Sequence, residues 1–142
     1  MRFAYPYSLE AQPGGGFTVT FPDVPEAISE ADAVESACDA AEDALVAALS
    51  FYVDDDEDLP KPSAARGRPL AVVPPLAAAK LALHAAMRDA RVSTAELARR
   101  LRIDEKAVRR LRDPLHRSHI GQVDAAMRAL GLRLEVAASK AA

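Results

Sequence analysis

Ser93-Thr94-Ala95-Glu96-Leu97-Ala98-Arg99-Arg100-Leu101-Arg102-Ile103-Asp104-Glu105-Lys106-Ala107-Val108-Arg109-Arg110-Leu111-Arg112-Asp113 decides how the second half of this chain folds. Ser93 followed by Glu96 has the form of a capping box, so a helix starts there and runs to Leu101. Asp104 caps a second helix, which Asp113-Pro114 stops, because a residue before proline is steered out of the helical region. Two helices joined this way need a small residue where they cross, a tight turn, and apolar positions seating one on the other. Ala98 is the small residue, flanked by Leu97 and Leu101. Ile103 closes the turn, and Val108 and Leu111 bury the second helix. Arg102 stands where the turn favours glycine, which costs about 1 kcal/mol in a left-handed conformation.

Outward from this unit the chain stays helical. Pro75 suits a first helical position, and Leu76, Ala79, Lys80, Leu83, Ala86 and Met87 continue the pattern. A last helix spans about Gly121 to Leu130 and ends at Gly131. Leu132, Leu134 and Val136 alternate with Arg133 and Glu135, which predicts a short terminal strand.

The spacing of Leu97, Ala98, Ile103, Val108 and Leu111 resembles the helix-turn-helix pattern of the Cro and phage-repressor class. It leaves Glu105, Lys106, Arg109, Arg110 and Arg112 outward on the second helix. In such a unit that helix enters the major groove, where Arg109 and Arg110 are the candidates for guanine O6 and N7. Lys106 suits a base or a phosphate. Ser93 and Thr94, at a helix N-terminus, suit a phosphate, as do Arg117 and His119 in the following loop. The plainer alternative is a solvated basic face on a helical bundle. One unit reads too few base pairs for genomic selectivity. A homodimer, or a tetramer of paired dimers, on operator double-stranded DNA is therefore expected.

The first half reads differently. Phe3, Tyr5, Tyr7 and Leu9 alternate with smaller or polar residues, as do Phe17, Val19 and Phe21, which predicts two strands around the turn Pro13-Gly14-Gly15-Gly16. Pro6 lacks a ladder donor, so it marks an edge or a bulge. A short third strand follows over residues 27–30. Asp32 with Glu35 resembles a capping box for a helix whose apolar stripe runs Val34, Ala37, Cys38, Ala41, Leu45, Ala48, Leu49 and Tyr52, with Cys38 as a buried filler. Asp54-Asp55-Asp56-Glu57-Asp58 reads as a solvated loop. Prolines 60, 62, 69, 74 and 75 punctuate the boundary, with Leu70 to Val73 as a last strand. The division is an N-terminal domain over 1–73 and a helix-turn-helix domain over 74–142. The fold class is α+β: a small antiparallel sheet with a helix, then an all-α unit.

The net charge of −3 conceals a sharp asymmetry. Residues 1–63 hold fourteen acids against Arg2 and Lys61, a net of −12; residues 74–142 hold fourteen bases against seven acids, a net of +7. An acidic surface repels nucleic acid and attracts a basic protein, whereas a basic one suits phosphate. Half of the residues are apolar, enough for a core, yet no run of 18 crosses a membrane. With no signal-like start and a single cysteine, the expected compartment is the cytoplasm. The strand residues Phe3 to Leu9 carry no acid, and Asp23 lies between prolines beyond a strand end. Converging metal-binding carboxylates are therefore missing. His116 and His119 find only His84 and distant Cys38 to complete a zinc set. No phosphate loop or nucleophile motif is present. The reading is of a non-enzyme without cofactor or metal.

Phe17-Thr18-Val19-Thr20-Phe21-Pro22-Asp23-Val24-Pro25, Glu42-Asp43-Ala44-Leu45 and Leu59-Pro60-Lys61-Pro62-Ser63 resemble the HicB antitoxins. So do Ala78-Ala79-Lys80-Leu81-Ala82-Leu83, Asp113-Pro114 with His116-Arg117-Ser118, and Leu130-Gly131-Leu132. The resemblance runs in order over nearly the whole chain; Ala31 and Arg102 depart from the family's glycines. It implies an N-terminal half like a partial ribonuclease H fold that binds and blocks a small HicA-type ribonuclease toxin. It also implies a C-terminal half that represses the pair's own promoter. The acids Asp23, Asp54, Asp55, Asp56, Glu57 and Asp58 are the candidates for the toxin contact. The alternative is a stand-alone repressor whose acidic domain binds another protein or a small ligand.

Overall fold

The computed structural model describes residues 1–141. Its elements in order are β1 (Ala4–Pro6), β2 (Ser8–Ala11), β3 (Phe17–Thr20), β4 (Ile28–Ala31), α1 (Val34–Asp54), β5 (Leu70–Val72), α2 (Pro75–Ala90), α3 (Thr94–Leu101), α4 (Glu105–Arg112) and α5 (Ile120–Ala129). The chain is thus α+β, with small antiparallel sheets and a helix first and four helices after them.

The first alternating run splits at its proline. β2, β3 and β4 form one antiparallel sheet in that order, with Ser8 opposite Thr20. Two residues further along this register Pro6 would face Pro22, and neither has an N–H, so the ladder ends. β1 pairs instead with β5: Tyr5 lies opposite Ala71, Tyr7 N–H donates to Pro69 O at 3.0 Å and Val73 N–H to Phe3 O at 2.9 Å. Bonding residues alternate along an antiparallel strand, so the donor that Pro6 lacks points away from β5. The turn at Gly15 and Gly16 takes φ of 98° and 78°, and a Cβ on Gly16 would approach Ala31 O to 3.0 Å.

Two cores result. In the first, α1 lays Ala37, Ala41, Leu45 and Leu49 against Val19 and Ala31, with Tyr5, Tyr7 and Phe21 beside them. The rings of Tyr7 and Phe21 lie 5.8 Å apart and tilted by 47°. In the second, Leu83, Met87, Leu97, Val108 and Val123 meet between α2, α3, α4 and α5. α2 serves both. Ala77 and Leu81 close the first core, and Ala79, Leu83, Ala86 and Met87, on the opposite side of the same helix, belong to the second. The first core therefore reaches past residue 73 into α2.

Several expectations need correction. α1 is capped at Ala33, not Asp32: the Ser36 hydroxyl accepts from Ala33 N–H at 3.3 Å and donates to Ala33 O at 3.0 Å, a role Glu35 does not take. Cys38 is exposed, and so is Val34 one turn before it, although Ala37 beside them is buried. Leu132 to Val136 forms no strand among the described residues. No strand among the described residues pairs with this segment, and Leu134 N–H is satisfied by Asp124 Oδ1 at 3.1 Å. Ile103 is exposed and closes the turn through its backbone, its N–H donating to Ala98 O at 3.1 Å.

Candidate functional site

α3 and α4 form as their caps dictate. Ser93 Oγ accepts from Glu96 N–H at 3.1 Å, and Asp104 Oδ1 accepts from Ala107 N–H at 2.7 Å. Arg102 takes the left-handed conformation, φ 56° and ψ 45°, between them. Leu97, Ala98, Val108 and Leu111 are buried, which turns the other side of α4 to solvent. Lys106, Arg109 and Arg110 are exposed there, and Glu105 reaches Arg109 at 3.9 Å. Arg117 and His119 are exposed in the loop before α5, where His119 is the N-cap residue. Lys106, Arg109 and Arg110 share the exposed flank of α4, and Arg110 and Arg117 line one cavity. Ser93 is engaged as a cap.

Arg112 does not join that flank. Its side chain is only 11% exposed and points into the junction between the two halves of the chain. Its guanidinium donates to Thr94 Oγ1 at 3.0 Å and to Asp56 Oδ1 at 2.8 Å, and lies 2.7 Å from His84 Nδ1. His84 is fully buried, and its Nε2–H donates to Glu57 O at 2.7 Å, so Nδ1 carries no proton and accepts from Arg112. Arg88 pairs with Asp56 at 3.3 Å and with Asp58 at 2.7 Å. The acidic run is therefore not merely solvated. Asp54 ends α1, and Asp56 and Asp58 are ion-paired to α2 and α4. The Arg112 hydrogen bond holds the Asp56 carboxyl below the usual range, and Arg88 does the same for Asp58. Asp54, Asp55 and Glu57 are exposed without an ion pair among the described residues. Asp23 lies apart from the acidic run, its carboxylate accepting from Ser63 N–H at 2.9 Å and Ser63 Oγ at 2.8 Å.

A buried lysine completes the frame of α4. Lys80 is fully enclosed, and its Nζ donates to Arg110 O at 2.8 Å, to Asp113 O at 3.0 Å and to His116 O. Three carbonyls match the three donors of an ammonium, whereas a neutral amine has two. Burial pushes its pKa below the ordinary lysine range, and the nearby Asp113 opposes that. Lys80 thus caps the C-terminal end of the helix that carries Arg109 and Arg110.

Comparison with known proteins bears on what this frame belongs to. Residues 4–82 match the family described as HicB-like antitoxin of bacterial toxin-antitoxin systems. Antitoxin HicB of Escherichia coli K12 is 36% identical over 133 residues, covering 93% of this chain and 96% of that protein. Antitoxin HicB 2 of Photorhabdus laumondii is 39% identical over 134 residues, covering 94% and 95%. The chain belongs to the HicB antitoxin family. It is accordingly a non-enzymatic antitoxin of a toxin-antitoxin system, a role that implies a cognate toxin. The family match spans the sheets, α1 and the first half of α2. The alignments to HicB relatives run on through most of the helical half. No described helix of this HicB protein is long and apolar enough to cross a membrane.

The junction makes a prediction for this antitoxin. Burial pushes the His84 pKa below its ordinary 6.5, the hydrogen bond to Glu57 opposes that, and the Arg112 charge adds to it. The unfolded chain then binds a proton more readily than the folded one, so this contribution to stability is complete above about pH 6.5 and declines as pH falls from there through the folded-state value. Asp56 and Asp58 titrate below their ordinary 3.8 and lie outside that window. Urea midpoints measured between about pH 5 and pH 7.5 should fall on acidification. His84→Gln should flatten that slope. An equal slope in the variant would contradict the assignment.

Proposed function

We propose that this antitoxin binds and neutralises a HicA-type ribonuclease toxin through its acidic half and represses its own operon by operator binding through α3 and α4. The observation that carries the DNA part is the basic flank of Lys106, Arg109 and Arg110 on a helix seated by Val108 and Leu111 and held at its end by Lys80. Arg117 and His119 extend it toward the backbone phosphates. The toxin part is supported by family membership and by the −12 charge of residues 1–63, which complements a protein that must attract RNA. Asp54, Asp55 and Glu57 remain available for such a contact, whereas Asp23, Asp56 and Asp58 are engaged within the chain. The chain acts as a homodimer or a pair of dimers. Leu132 and Val136 stand exposed on a segment that pairs with no strand among the described residues, which leaves it available to pair across a two-fold axis.

Three measurements test the whole reading. The chain should shift DNA from upstream of its own gene and should restore growth when a HicA-type toxin of the same genome is expressed beside it. Light scattering at micromolar concentration should give at least twice the 15.1 kDa chain mass. DNA binding without any rescue would favour a stand-alone repressor.

A further inference from the structure

We infer that the exposed side of α1 that carries Phe51 is the surface on which the basic ribonuclease toxin docks; this rests on the antitoxin–toxin reading above. Asp39, Asp43, Ala47, Phe51 and Asp54 follow one another at steps of four, four, four and three, along the side of α1 opposite Leu45 and Leu49. All five are exposed, and they extend over about 22 Å of helix at 1.5 Å per residue. Phe51 is 63% exposed, whereas Phe3 and Phe21 are buried and Phe17 is half-buried. Aromatic side chains are depleted from surfaces facing only water and enriched at the centres of interfaces, where a few of them carry most of the affinity.

The chemistry of the occupant follows from what surrounds that ring. Asp39, Asp43 and Asp54 have no ion pair among the described residues, in contrast to Asp56 and Asp58, which Arg88 and Arg112 hold. An aromatic anchor beside Asp54, at one end of a stripe that carries Asp43 and Asp39 further along the helix, fits a partner with an apolar recess next to an elongated positive surface. A ribonuclease has such a surface because it must bind phosphate. A second copy meeting this side across a two-fold axis would set carboxylates against carboxylates, and DNA would meet them with like charge.

The test uses the full chain and the catalytically inactivated HicA-type toxin of the same genome in titration calorimetry. Phe51→Ala should weaken binding at least tenfold. Asp39→Lys with Asp43→Lys should do the same and flatten the dependence on salt. Both should keep the melting temperature, since the replaced side chains are exposed. Ile28→Ala removes an equally exposed side chain, 63%, from the sheet face that alternation turns away from α1, and should leave affinity unchanged. Unchanged affinity in Phe51→Ala and in the charge reversal would overturn this surface while leaving the toxin reading intact. Loss of the dimer in Phe51→Ala with affinity intact would assign the surface to a second copy and overturn it too. No binding by the unsubstituted chain would overturn both readings.

Discussion

Replacing Arg109 and Arg110 together by alanine is expected to lower affinity for operator DNA at least a hundredfold while leaving the fold and the toxin response intact. Both side chains are exposed on α4, and of the two only Arg109 has an ionic neighbour among the described residues, Glu105 at 3.9 Å. Exposed substitutions of this kind change stability by roughly 0.5 kcal/mol or less. A bidentate arginine contact to guanine contributes about 1–3 kcal/mol of discrimination, and a dimer would lose it in both half-sites. Gel shift on the upstream DNA measures the loss, and growth rescue with co-expressed toxin measures what survives. Val108→Asp is the contrasting control. Val108 is fully buried, so an unpaired carboxylate there should unfold the helical half and abolish DNA binding through structure instead of contact. Normal DNA binding by the double alanine variant would remove α4 as the reader. Normal DNA binding with lost rescue would mean that the two surfaces are exchanged.

The second large effect is expected at Lys80. Lys80→Met keeps the aliphatic stem but removes the ammonium that meets Arg110 O, Asp113 O and His116 O. A buried acceptor left without a donor costs about 1–3 kcal/mol, so three of them should cost at least about 3 kcal/mol in total. That is a large share of a small domain's stability. Arg88→Ala, which breaks ion pairs to Asp56 and Asp58 at the surface, should cost much less by comparison. Urea unfolding followed by circular dichroism separates the two. Equal costs would mean that Lys80 is not the cap of α4. Because Arg110 O and Asp113 O lie at the end of α4 and His116 O in the loop after it, weaker operator binding should accompany the lower stability even where the chain remains folded.

Local chemistry made much of this protein legible from sequence. Ser93 and Asp104 cap α3 and α4 because a side-chain oxygen satisfies an N–H three residues away, a range that sequence displays directly. The same holds for Pro75 opening α2 and for the strand break at Pro6, whose missing donor is a property of the residue itself. The basic flank of α4 was likewise visible, since Val108 and Leu111 set which side faces inward. The departures also have local causes. Ser36 outcompeted Glu35 at the start of α1, and Cys38 shares the spacing of the buried stripe yet stays exposed.

What only tertiary structure decided is which charged side chains stay in water. Spacing alone put Arg112 with Arg109 and Arg110, and left Lys80 as one more position of a helical pattern. Their partners stand far off in sequence: 56 residues separate Arg112 from Asp56, 30 separate Lys80 from Arg110, and 27 separate His84 from Glu57. Helical periodicity reports that a side is covered, not whether a core or a buried ammonium, imidazole or guanidinium covers it. α2 shows why. It is packed on two opposite sides by two cores, and the flank between them brings Lys80 to the end of α4 and His84 to the end of α1. Those contacts exist because the two halves close on one helix, and composition and periodicity carry no trace of that closure.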